Sequence, residues 1–236
     1  PMGIRALRTG IRPPGAAPSG PVLFQTLPVR LSGKMRPLLV FAHGAGAPSS
    51  SGWMRAWAER LGRAGEVHSF DYPYMAAGRA RPDPRPVLER AHRAAVEAAR
   101  AGRDLDIVLV GKSMGSRIGC HVASSEDPLP RVRALVCLGY PLVGQNGAVR
   151  DEVLLALRVP VLFAQGTRDK LCPLDRLARV RERMQAPSEL FVVESGDHSL
   201  ALTKTRLAKL ASSQAAEDDK LADVIADFVR RHGSPA

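Results

Sequence analysis

The chain has 236 residues, of which 45% are hydrophobic and 24% charged. That balance supports a buried core and excludes disorder over the whole length. Its longest apolar runs fall far short of a bilayer span. Three scattered cysteines, Cys120, Cys137 and Cys172, exclude a disulfide framework or a four-cysteine zinc site and point to a reducing compartment, the cytoplasm first, with organelle and nucleus as alternatives. The net charge is +11, and residues 1–58 hold seven bases and no acid. Aromatics make up only 5%, so the interleaved basic and aromatic surface of a nucleic-acid binder is not what this composition describes.

Residues 1–36 read as a basic leader, dense in proline and glycine to residue 21, with an extended strand at Val22–Leu31. A disordered tail fits it better than an organelle transit segment, because serine is scarce. Residues 37–232 then read as one domain that alternates strand and helix. Strands are expected at Pro37–Ala42, Glu66–Phe70, Ile107–Val110, Val132–Leu138, Val159–Ala164 and Glu189–Val193. Helices are expected at Trp53–Leu61, Pro86–Ala101, Ser116–Ser124, Leu174–Met184 and Asp218–Arg231. The last carries an apolar stripe at Leu221, Val224, Ile225, Phe228 and Val229. Apolar strand runs alternating with helices predict a mostly parallel sheet covered on both faces. In such a sheet, ligands bind beyond the carboxyl ends of the strands.

The chemistry-bearing residues fall at those ends. Gly111-Lys112-Ser113-Met114-Gly115 has the G-x-S-x-G form between a strand and a helix. The small flanking residues permit the sharp turn that exposes a nucleophilic hydroxyl. Asp169 follows the fifth strand and His198 the sixth. The order Ser113, Asp169, His198, each beyond a different strand, suits a serine made nucleophilic by an imidazole that a carboxylate orients. His43-Gly44-Ala45-Gly46-Ala47 follows the first strand. Its backbone N–H groups make Ala45, with Gly44 as fallback, and Met114 the candidate donors to a developing oxyanion. His43 is expected to order this loop by hydrogen bonding. No phosphate-binding glycine pattern is present. Gly44, Tyr72, Tyr74 and Tyr140 are candidate pocket-lining residues, with core packing the alternative for the tyrosines. Lys112 and Arg117 flank the serine, where a structural salt bridge is the simpler role and an acidic substrate the other. Trp53 and Trp57 read as packing residues, Cys120 and Cys137 as buried thiols, and Cys172 as a thiol near the pocket mouth.

The strings FAHGAGAPSS (41–50), FDYPY (70–74), GKSMGSR (111–117), CLGYPL (137–142) and GDHS (196–199) together resemble the dienelactone-hydrolase-related α/β-hydrolases. They are most similar to the branch that includes testis-expressed and NSL-complex regulatory proteins. The resemblance covers about residues 37–232 and implies an α/β-hydrolase fold without a large lid domain. It also implies a triad of Ser113, Asp169 and His198. Many relatives read G-K-S-M-G-G-R where this chain has Ser116, and GDHSF where it has Leu200. Lids in this fold usually occupy the segment at 143–158, which here is too short for a multi-helix cap and reads as a candidate flap. The expected activity is hydrolysis of a small ester, thioester or related acyl bond, with no metal or organic cofactor. The alternative is a non-catalytic scaffold subunit with a protein partner.

Overall fold

A computed structural model describes residues 36–144 and 147–233. The strand expected at Val22–Leu31, and all of the leader except Arg36, lie outside the described residues. Among the described residues six strands form one sheet: β1 Leu38–Ala42, β2 Glu66–Phe70, β3 Ile107–Lys112, β4 Val132–Leu138, β5 Val161–Gly166 and β6 Ser188–Val193. Their order is β2-β1-β3-β4-β5-β6, and every neighbouring pair is parallel. The chain steps outward from β1 to β2, then returns to place β3 on the other side of β1. The crevice beyond β1 and β3 is therefore the topological switch point of the sheet.

Continuous apolar strands arise because each residue is buried on one face or the other. Leu38, Val40, Ile107, Leu109, Leu135, Cys137, Val161 and Phe163 pack on one side. Leu39, Phe41, Val108, Val110, Val136, Leu138, Leu162 and Ala164 pack on the opposite side. Helices α3 (Arg85–Arg100), α4 (Met114–Ala123) and α6 (Leu174–Arg181) cover the first face. Helices α1 (Gly52–Leu61) and α8 (Gln214–His232) cover the second through Met54, Trp57, Leu61, Leu221, Ile225 and Phe228. Full burial of such side chains stabilises the fold by about 1.5–3 kcal/mol each. Among the described residues no helix is long and apolar enough to cross a membrane.

Several boundaries differ from expectation for local reasons. Strand β3 continues past its apolar run, because Gly111 and Lys112 still pair with Cys137 and Leu138. Helix α4 consequently starts at Met114, not Ser116, leaving Ser113 alone in the turn. Strand β5 starts at Val161 because Pro160 has no N–H to donate; its carbonyl accepts from Leu135 N at 2.9 Å. Helix α8 starts at Gln214, where the Ser213 hydroxyl accepts from Ala216 N. Three short helices, α2 (Pro73–Ala76), α5 (Glu152–Leu155) and α7 (Lys204–Lys209), are too brief to show a helical period. Between β4 and β5 the described residues hold only an antiparallel bridge, Val143 to Val149, and α5.

Candidate active site

Ser113 connects β3 to α4 with φ 51° and ψ −112°. This conformation is strained for a residue with a Cβ. It is held by Ser113 N donating to Leu138 O at 3.0 Å and Arg117 N donating to Ser113 O at 3.2 Å. The two flanking glycines are required by contact. A Cβ on Gly111 would lie 2.1 Å from Ser116 N, and one on Gly115 would lie 2.4 Å from Ala42 O. Helix α4 thus packs directly on the ends of β1 and β3, and the serine side chain projects from the sheet edge.

The structure brings the three distant side chains together. His198 Nε2 is 2.8 Å from Ser113 Oγ, and His198 Nδ1 is 2.8 Å from Asp169 Oδ2. Asp169 has a fully buried side chain, and its other oxygen accepts from Leu171 N at 2.9 Å. The loops that present them are tied to each other. Arg168 N donates to Gly196 O at 2.8 Å, and Ser195 N donates to Thr167 Oγ1 at 2.8 Å. One imidazole nitrogen therefore meets a carboxylate and the other a hydroxyl, and a proton on Nδ1 would leave Nε2 able to accept one from the serine.

The loop after β1 is ordered from beneath. His43 is fully buried and neutral, its pKa pushed down by burial. Its Nδ1 donates to Gly44 O at 2.5 Å and its Nε2 accepts from Tyr72 N at 3.1 Å. The Tyr74 hydroxyl donates to Ala45 O at 3.0 Å. Among the described residues the backbone N–H groups of Ala45 and Met114 donate to no protein acceptor. Both residues border the cleft at Ser113.

Two clefts meet at Ser113. One, of about 400 Å³, is lined by Trp53, Met54, Lys112, Leu171 and His198, with Gly44 and Ala45 at its edge. The other, of about 300 Å³, is lined by Ala45, Met114, Arg117, Val143, Arg150 and Leu171. Neither is bordered by Tyr72, Tyr74 or Tyr140. These follow strand ends, but all three pack into the core. Tyr72 bonds His92 Nδ1 at 3.0 Å, and Tyr140 lies edge-on to Phe163. Cys172 is also displaced from the expected pocket mouth: it is fully buried, and burial pushes its thiol up to about 12. Cys120 and Cys137 are buried, as their positions in α4 and β4 predict, with sulfurs 3.9 Å apart.

Lys112 and Trp53 have contacts that the sequence did not disclose. Lys112 is almost fully buried, and its Nζ donates to the His198 carbonyl. The ammonium also stands 5.7 Å from the centre of the Trp53 ring. Trp53 Nε1 donates to Ser199 O at 3.1 Å. Side chains from β3 and α1 therefore grip the backbone of residues 198 and 199. A salt bridge for Lys112, the simpler expectation, is replaced by a charge-assisted bond to a carbonyl. Trp57 packs as expected, whereas Trp53 lines a cleft.

Solved structures of similar fold include an alpha-beta serine hydrolase homologue from Coxiella burnetii. It has 18% identity and a TM-score of 0.61, with 79% of this chain and 83% of that chain covered. A dienelactone hydrolase from Anabaena variabilis has 18% identity and a TM-score of 0.60, with 85% and 88% covered. An esterase from Pyrococcus furiosus has 15% identity and a TM-score of 0.63, with 85% and 84% covered. At these identities the likeness concerns the fold. The family model described as an alpha/beta hydrolase domain matches residues 35–230; the chain belongs to the α/β-hydrolase family.

Proposed function

We propose that the protein is a serine hydrolase that cleaves a small ester, thioester or related acyl bond, with Ser113, His198 and Asp169 as its triad. The observation that carries this reading is the unbroken chain of 2.8 Å contacts from Ser113 Oγ through the imidazole to Asp169. Family membership supports the hydrolase class. The motifs shared with the dienelactone-hydrolase-related branch support a site open to small substrates.

In the first step Ser113 Oγ attacks the substrate carbonyl carbon while its proton passes to His198 Nε2. The C–O bond to Ser113 forms, and the carbonyl π pair moves onto oxygen. The N–H groups of Ala45 and Met114 receive that oxyanion; one such donor is worth about 3–4 kcal/mol in the barrier. Asp169 keeps Nδ1 protonated and stabilises the imidazolium. Collapse breaks the bond to the leaving group, which takes the proton from Nε2. Water then attacks the acyl-enzyme, gives a proton to the same nitrogen, and releases the acid as Ser113 regains its hydrogen.

A fluorophosphonate probe tests the reading. Labelling of the wild-type chain that disappears in Ser113→Ala and falls strongly in His198→Ala is the expected result. A folded wild-type chain that does not label and does not hydrolyse short p-nitrophenyl esters would favour a scaffold role.

A further inference from the structure

Two basic side chains stand beside Ser113 with no ion-pair partner within 4.0 Å among the described residues. Arg117, one turn into α4, and Arg150, just after the Val143–Val149 bridge, line the second cleft together with Ser113 and Met114. The same pair lines an adjoining cleft of about 500 Å³ with Arg85 and Glu152. Both arginines are half-buried. Among the described residues, neither guanidinium has a carboxylate within 4.0 Å or a hydrogen bond to protein. Two nearby acids are engaged elsewhere, Asp151 with Arg183 at 2.9 Å and Glu89 with Arg85 at 3.2 Å; Glu152, which borders the adjoining cleft, is beyond ion-pair distance and offsets the pair less than burial and Arg150 oppose it. Arg117 Nε is buried and unpartnered. Burial first, and then the charge of Arg150, weakens the hold of Arg117 on its proton. His121, on the same helix, is pushed down to about 4 by burial and by Arg117 and Arg85. Unpaired like charges at this depth destabilise a fold unless an anion offsets them.

Geometry fixes which part of a substrate meets them. The leaving group takes its proton from His198 Nε2, so it departs on the side of the first cleft, where His198 and Trp53 lie. The acyl chain of the same tetrahedral centre points the other way, into the second cleft. Resting on the serine hydrolase reading above, we propose that Arg117 and Arg150 form the anion-binding end of the acyl subsite. The preferred acyl group then carries a carboxylate, as in a half-ester or half-thioester of a short dicarboxylic acid. Paired guanidinium groups suit a carboxylate because their N–H forks match its two oxygens.

The experiment is competition against fluorophosphonate labelling of the intact chain. The competitors are glutaric acid monoamide, whose amide occupies the carbonyl position, and pentanamide, which lacks the distal charge. The monoamide is expected to slow labelling of wild type at concentrations where pentanamide does not. Its protection constant should weaken about tenfold in Arg117→Gln and in Arg150→Gln, the usual loss for a charge-assisted contact. Each variant is compared with its own unprotected rate. Arg150→Gln carries the test by itself if Arg117→Gln does not fold. Equal effects of the two amides, no protection by either, protection that survives in the variants, or the same protection from sodium chloride at matched ionic strength would each overturn the anionic subsite while leaving the nucleophile in place. Absence of labelling in wild type would overturn the serine hydrolase reading and the subsite with it.

Discussion

Lys112 holds its charge against burial. Desolvation brings its pKa down to about 8, although Asp169 and Asp197 act in the opposite direction. In the unfolded chain a lysine keeps its proton to about pH 10. Between about pH 8 and 10 the unfolded state therefore binds more protons than the folded one, and stability rises with pH. Urea titrations should show wild type gaining stability relative to Lys112→Met between those limits, with no relative change between about pH 5 and 7. The same substitution removes the bond to the His198 carbonyl, so Lys112→Met should also lower kcat about tenfold through a displaced imidazole. At this scale the sequence singles out Ser113, Asp169 and His198 as candidates, because each follows a strand end and carries its own chemistry, and their side chains meet in the fold. It does not disclose the contacts of Lys112 and Trp53. Those depend on how far β3 extends and on which way α1 turns, neither of which is written in local residue type. The tyrosines mislead for the related reason that a position after a strand end does not fix the direction of the side chain.

The turn between β3 and α4 depends on close backbone packing. Gly111→Ala and Gly115→Ala each place a methyl group within 2.4 Å of backbone atoms. Each should destabilise the protein by about 3 kcal/mol or more, read as a lower urea midpoint. Gly52→Ala meets nothing within 4 Å and should change the midpoint little. Helix α3 carries a second dependence, on acid. His92 is fully buried against Tyr72 and Phe70, and burial pushes its pKa down to about 3. The unfolded chain takes up this proton near pH 6.5, while the folded chain refuses it. Stability is thus lost as pH falls from about 6.5 towards 4, and His92→Gln should show a shallower loss. The long elements were legible from apolar runs and helical spacing. Their ends were not, because Pro160, Ser213 and the pairing of Lys112 with Leu138 set them through specific hydrogen bonds.

Across the whole molecule, the order of strands and helices followed from alternation alone, since apolar runs of this length require cover on both sheet faces. No cap rises over Ser113 among the described residues, where β4 and β5 are joined through one bridge and the short α5. Turnover of a soluble p-nitrophenyl ester should therefore rise smoothly with concentration, with no jump at the micellar threshold. Lengthening the acyl chain from butanoate to dodecanoate should reduce kcat/KM, since an open cleft of a few hundred Å³ cannot enclose the longer tail.

The placement of the two tryptophans has an optical consequence. Trp57 is sealed in the core, whereas Trp53 is half-exposed at the rim of the first cleft and tethered to Ser199. Changes in indole emission when the cleft fills will thus come from one ring, beside the imidazole. Phenylalanine at position 53 should abolish that signal, giving a direct readout of occupancy in the unlabelled chain.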